Sequence, residues 1–153
     1  MKKFITFIFI LLPWFLSSLI PIDKTYYKTL NLPWFALPPI IFGISWTIIY
    51  ILIAISIYKI VNNNNKKDIP ISYKYTLLIN YIANQSFQPL FFFFKNNFLG
   101  FISSIITFIT SLFLYKETKD INENSANFLI LYILFTLYAT ILSLSIYLLN
   151  IIH

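Results

Sequence analysis

At 153 residues, 59% hydrophobic and only 10% charged, the chain carries more apolar surface than a water-soluble domain of its size can hide. All eleven of its basic residues are lysines, and the net charge of +6 sits in short polar stretches beside apolar runs, which marks membrane flanks and not nucleic-acid recognition. The absence of cysteine excludes disulfides, iron–sulfur clusters and thiolate chemistry.

Five apolar segments follow one another, each near the ~17–25 residues needed to cross a bilayer. The first, residues 4–20, opens with Lys2 and Lys3 and is broken by Pro13. A cleaved secretory signal is the rival reading, but the apolar stretch is long and no small-x-small cleavage site follows. A proline-rich loop, residues 21–38, leads to the second segment, 39–61, where Pro39 suits a helix start because its missing N–H costs nothing there. The tract NNNNKKD, Asn62 to Asp68, reads as a polar turn. The third segment, 73–94, is the most polar, and KNN at Lys95 to Asn97 separates it from the fourth, 98–115. KETKDINEN, Lys116 to Asn124, reads as a solvated loop before the fifth, 128–152. The expected class is an all-α integral membrane protein: a single-domain bundle of five transmembrane helices, with a lid-like loop at 21–38.

With five spans, Lys2, Lys3, Lys59, Lys66, Lys67, Lys74, Lys116 and Lys119 share one side and Lys24, Lys28 and Lys95 the other. The positive-inside rule then puts the N-terminus inside. All five acids (Asp23, Asp68, Glu117, Asp120 and Glu123) fall in loops or at helix ends. Proton relays and ion paths place carboxylates within the membrane, so a proton-pumping subunit is disfavoured.

Asn80, Asn84 and Gln88 recur at i, i+4 and i+8, placing three amides on one helix face with Gln85 beside them. Amides in hydrocarbon must find partners, so this face looks into the bundle. It serves as interhelical glue or as the polar wall of a ligand cavity, and spacing alone leaves both open. Tyr132, Thr136, Thr140, Ser143, Tyr147 and Asn150 form a similar face in the fifth segment, and Gly100, Ser104 and Ser111 a small-residue seam in the fourth; helix packing is the favoured role for that seam and for Thr136, Thr140 and Ser143, while Tyr132 and Tyr147, nearer the helix ends, also suit an interfacial belt. Trp46 and Tyr50 stand one turn apart, and Phe87, Phe91 and Phe94 cluster at the end of the third segment. Apolar rings with a few amides and hydroxyls suit a flat hydrophobic ligand. The only histidine is the terminal His153, so no metal site or nucleophilic triad can be assembled within the membrane.

The stretch LNLPWFALPPIIFGISWTIIY, Leu30 to Tyr50, resembles the translocator protein family, also called the tryptophan-rich sensory protein or peripheral benzodiazepine receptor family. Leu30, Pro33, Trp34, Pro38, Phe42, Gly43, Trp46, Thr47 and Tyr50 carry that likeness. NYIANQSFQPLFFFFKN is similar to the family's third helix through Asn84, Pro89, Phe91 and Phe92, with Phe87 where the family has tryptophan. LYILFTLYATILSLSIYLLN is similar to its fifth through Tyr132, Ala139, Thr140 and Leu142, with Phe135 again replacing tryptophan.

The resemblance implies a five-helix bundle, often a homodimer, that binds porphyrins and related tetrapyrroles or sterols as ligands, not cofactors, for transport, sequestration or sensing. It implies Trp34 and Pro38 in a lid, and Phe42, Trp46, Tyr50, Asn84, Phe87, Phe91, Phe135, Ala139 and Thr140 about the pocket, with no catalytic residue. Two rivals remain: a light-dependent porphyrin-modifying enzyme, disfavoured because Phe135 is a poorer electron donor than indole, and a small helical subunit of a larger complex. The sterol motif of animal members fails after Tyr147, where no lysine or arginine follows; LFLYKETK satisfies its loose pattern elsewhere.

Overall fold

Pro13 decides the shape of the first segment. Its ring clashes with the carbonyl four residues back, and it has no N–H to donate. Helix α1 (Lys2–Leu11) therefore stops short, and the chain continues through Leu12–Leu19 as a tighter 3-10 helix. Such a coil rises faster per residue, so the two parts together reach about 30 Å, the thickness of a hydrocarbon core. Three side chains of the later helix at Ile71–Gln88 satisfy or pack the disturbed backbone. Tyr81 donates to the Pro13 carbonyl at 3.0 Å, and Gln85 both donates to the Trp14 carbonyl (3.1 Å) and accepts from the Ser17 N–H (2.8 Å). Asn84 braces Gln85 from the side, accepting its amide at 3.1 Å. Irregular backbone is tolerated at membrane depth where protein groups take up its polar atoms.

The computed structural model describes residues 2–21, 23–63 and 69–151, which form helices and turns with no strand among them; Lys66, Lys67, Asp68 and His153 lie outside. The loop at 21–38 contains a short helix, α2 (Lys24–Thr29), whose N-cap Asp23 accepts from the N–H groups of Thr25 and Tyr26. Helix α3 (Pro39–Asn63) begins at the expected proline. Helix α4 (Ile71–Gln88) meets Pro89 and widens into a π-helical turn, Pro89–Phe93, closed by the Phe94 N–H on the Pro89 carbonyl at 2.9 Å. Lys95 reverses the chain at φ 51°, and Asn96 caps α5 (Asn97–Ile121).

The charged stretch after Tyr115 corrects the sequence expectation. Lys116 to Ile121 continue α5 and do not form a loop. Lysine and glutamate are good helix formers, and charge marks where a helix leaves lipid, not where its hydrogen bonds end. The break comes at Asn122, extended at φ −159°, which caps the short α6 (Glu123–Ala126) by accepting from the Ser125 N–H. A 3-10 turn (Asn127–Leu129) joins it to α7 (Ile130–Leu149).

Helix α5 packs along both α4 and α7 through small hydroxyl residues. Ser86 pairs with Ser103 (3.0 Å), Ser111 with Thr136 (3.2 Å), and Thr140 donates to the Ser104 carbonyl (3.0 Å). Short side chains let the backbones approach and bond across, as expected for these faces. Contacts between Tyr26 and Asn97 and between Asn31 and Asn150 gather the loop at 21–38, the α4–α5 turn and the end of α7 at one end. Contacts between Phe7 and Tyr58, Ser72 and Glu117, and Lys59 and Phe128 mark the other. Five segments thus run alternately along the bundle.

Pro39–Asn63, Asn97–Ile121 and Glu123–Leu149 are long and apolar enough to cross a membrane. Lys3–Leu19 is a shorter apolar helix. Pro13 divides that segment, and amides make α4 more polar. Large apolar side chains such as Phe9, Ile40, Leu78 and Phe113 stand exposed around the bundle, where lipid covers them. The chain is an integral membrane protein.

Candidate functional site

On α3, Phe42, Trp46 and Tyr50 are four residues apart, so their rings form one inward stripe. Successive centroids lie 6.3 and 5.5 Å apart. Across from them Phe87 and Phe91 stack in parallel, 5.4 Å apart at 11°. The π-turn carries Phe92 to the same side, its ring 4.8 Å from that of Phe91. Between the two aromatic walls lies a cavity of about 530 Å³. Its floor is made by buried Asn84, Ser104 and Thr107 and by Thr136, Ala139, Leu142, Ser143 and Ile146 of α7. Its rim is exposed: Ser18, Lys28, Gly43 and Thr47. At Gly43 a Cβ would meet open space.

Beneath the cavity the amides form a closed network. Asn80, fully buried, donates to the Thr107 carbonyl (3.3 Å) and Thr110 (2.9 Å) and accepts from the Tyr132 hydroxyl (2.9 Å). Asn84 accepts from Tyr50 (3.0 Å) and donates to Tyr132 (3.4 Å). Asn80 is packing alone, whereas Asn84 both packs and faces the cavity. Gln88 also lines it while donating to the Ile20 carbonyl (3.3 Å).

The loop over the cavity is fastened on three sides. The Tyr26 hydroxyl reaches the Lys95 carbonyl (3.0 Å) and Asn97 Oδ1 (2.6 Å), and Asp23 pairs with Lys95 at 2.8 Å. Asn31 and Asn150 exchange two hydrogen bonds, each 3.0 Å. The Tyr138 hydroxyl accepts from the Leu37 N–H and donates to the Phe35 carbonyl, both at 3.1 Å. Lys95, then Thr25, holds the Asp23 carboxyl well below the usual carboxylate range. Tyr27 lines the cavity, and burial, with a smaller contribution from Tyr138, pushes its phenol up.

Of the eleven residues expected in the lid or about the pocket, seven share one cavity: Phe42, Trp46, Tyr50, Asn84, Phe87, Phe91 and Ala139. Four lie off its wall. Trp34 is 95% exposed, touching only the edge of Phe35 among the rings. Pro38 is exposed and accepts from the Phe42 N–H, starting α3. Phe135 braces Trp46 from behind, 5.3 Å away at 89°, and Thr140 bonds two backbone carbonyls. Sequence reasoning missed Phe15, Ser17, Tyr27 and Lys28 on the wall and Phe35 and Tyr138 as anchors of the loop. Phe15 and Ser17 lie in the 3-10 segment, where side chains recur every three residues and a helical period of 3.6 misplaces them.

Compared with known proteins, residues 4–149 match the model of the TspO/MBR family. The chain belongs to the TspO/MBR family. That match takes in every wall of the cavity, from Phe15 to Ile146. The chain is 37% identical over 134 residues to the tryptophan-rich protein TspO of Bacillus cereus, covering 88% of this chain and 86% of that protein. It is 30% identical over 131 residues to the membrane protein YtaB of Bacillus subtilis, covering 84% and 82%. A tryptophan-rich protein TspO of Archaeoglobus fulgidus is also 30% identical, over 132 residues and 83% and 81% of the two chains. The three tryptophans of this TspO/MBR protein have three different settings: Trp14 in the packed core, Trp34 exposed on the loop and Trp46 on the cavity wall.

Proposed function

We propose that this protein binds a flat hydrophobic ligand, tetrapyrrole-like or sterol-like, inside a bundle of five membrane-spanning segments, and serves in its transport, sequestration or sensing. The observation that carries the reading is the cavity itself. About 530 Å³ falls within the range of ligand pockets, about 300–1,000 Å³. Its opposed rings offer flat apolar faces, and the amides and hydroxyls of its floor, Asn84, Thr107, Thr136 and Ser143, are already bonded within the bundle, so an apolar plane strips little hydration there. The alternating course of the segments and the reach of the first, about 30 Å, support five crossings.

The test is titration of the purified protein in detergent with protoporphyrin, followed by tryptophan quenching, alongside Trp46→Phe and Asn84→Leu. Saturable quenching near micromolar, about −8 kcal/mol, that weakens in folded variants supports the pocket. Linear quenching that neither substitution alters is partition into micelles and overturns it.

A further inference from the structure

Lys28 is the single residue of formal charge in the lining of the cavity among the described residues. No Asp or Glu joins it on the wall, and Lys28 enters no ion pair among the described residues. The nearest carboxylate in sequence, Asp23, is already held by Lys95 at 2.8 Å. The backbone of Lys28 is held at the cavity rim: the residue lies in the last turn of α2, a helix capped by Asp23 and tied through Tyr26 to the start of α5. A cation at the edge of an apolar hole is poorly neutralised by its surroundings and attracts an anion more strongly than the same cation in bulk water.

We infer that Lys28 is the specificity-determining residue of the cavity, which selects a flat hydrophobic ligand bearing an ionised carboxylate at one edge. The rings take the apolar plane, and Lys28, at the exposed rim, takes the acid. The inference rests on the binding reading above and narrows it to acidic amphiphiles, setting neutral sterols aside.

The experiment compares protoporphyrin with its dimethyl ester, which keeps the ring and removes both charges. Each is titrated into the full chain in zwitterionic detergent, as wild type, Lys28→Met and Lys28→Arg. Lys28 is exposed, so the variants are expected to melt with the wild type. The diacid should bind wild type about tenfold more tightly than the ester. Lys28→Met should abolish that preference without changing ester affinity, and Lys28→Arg should retain it. Saturable binding of both probes with the same ratio in wild type and Lys28→Met overturns the role of Lys28 and leaves the pocket standing. Saturable binding of neither overturns the pocket and this inference together. Phosphatidylglycerol, added in a final arm, distinguishes a headgroup site: if it displaces the diacid as well as a free carboxylate does, the assignment to the pocket ligand fails.

Discussion

Around Ile53, Ile57, Ile60, Leu114 and Leu129 the helices meet with their side chains at most 8% exposed, whereas around Phe42, Phe87 and Phe91 the rings stand apart and leave about 530 Å³. Both regions are built from the same apolar stock. The difference lies in what borders them: the network of Asn80, Asn84, Tyr50 and Tyr132 ties α3, α4, α5 and α7 together at the boundary between them. One half can stay hollow because the polar bonds that fix helix register lie below it. Lipid supplies no hydrophobic drive between helices, so packing and such bonds carry the association.

The comparison predicts that stability and binding separate on mutation. Asn80→Leu should have the largest effect on folding, about 1–2 kcal/mol, because it leaves the buried Tyr132 hydroxyl short of its acceptor. Unfolding in detergent measures it, and the folded fraction should bind protoporphyrin within about twofold of wild type. Lost binding at unchanged stability would break the comparison. Gly100→Ala should do the reverse. A Cβ there comes within 2.6 Å of Phe91 Cδ2, so that ring must move, and the hollow on its other side receives it. The expected stability cost is about 1 kcal/mol, the low end of overpacking, while binding falls roughly tenfold.

Tyr138→Phe removes two bonds to the loop and no packing. It should cost about 0.5–1 kcal/mol locally, seen as faster hydrogen exchange at Leu37 with the global midpoint unchanged. The smallest effect belongs to Asp23→Asn, which keeps a capping side chain and removes the charge facing Lys95. The folded carboxyl titrates below its unfolded value, so its contribution is complete above about pH 4 and is lost only as pH falls through the depressed pKa. The gap in thermal midpoint between wild type and Asp23→Asn should stay constant from neutral pH to about 4 and close below it.

The stripe of Phe42, Trp46 and Tyr50 was legible because Pro39 fixes where α3 begins and a regular helix does the rest. Asn84 was legible for the same reason, as an amide with one face to go to. What resisted reading has two causes: departures from the regular period, and charge that falls within a helix. Phe15 and Ser17 reach the wall through a 3-10 coil, and Lys116 to Ile121 keep the helix going where hydropathy falls. In the loop no period exists beyond the short α2. There the indole of Trp34 reads as the lid aromatic, yet the neighbouring Phe35 packs inward and Trp34 does not.

The π-turn at Pro89–Phe93 has a consequence for how such a cavity changes size over generations. A π-turn holds one residue more than the α-turn it replaces. Deleting one residue there restores ordinary α bonding and leaves the flanking segments nearly in register, so the change falls on the residues of the turn itself, Phe91 and Phe92 of the wall among them. The width of the cavity is thus written in the length of the chain as well as in the chemistry of its lining. A lineage can open or close it with a single codon gained or lost, leaving every side chain on α3 and α7 as it was.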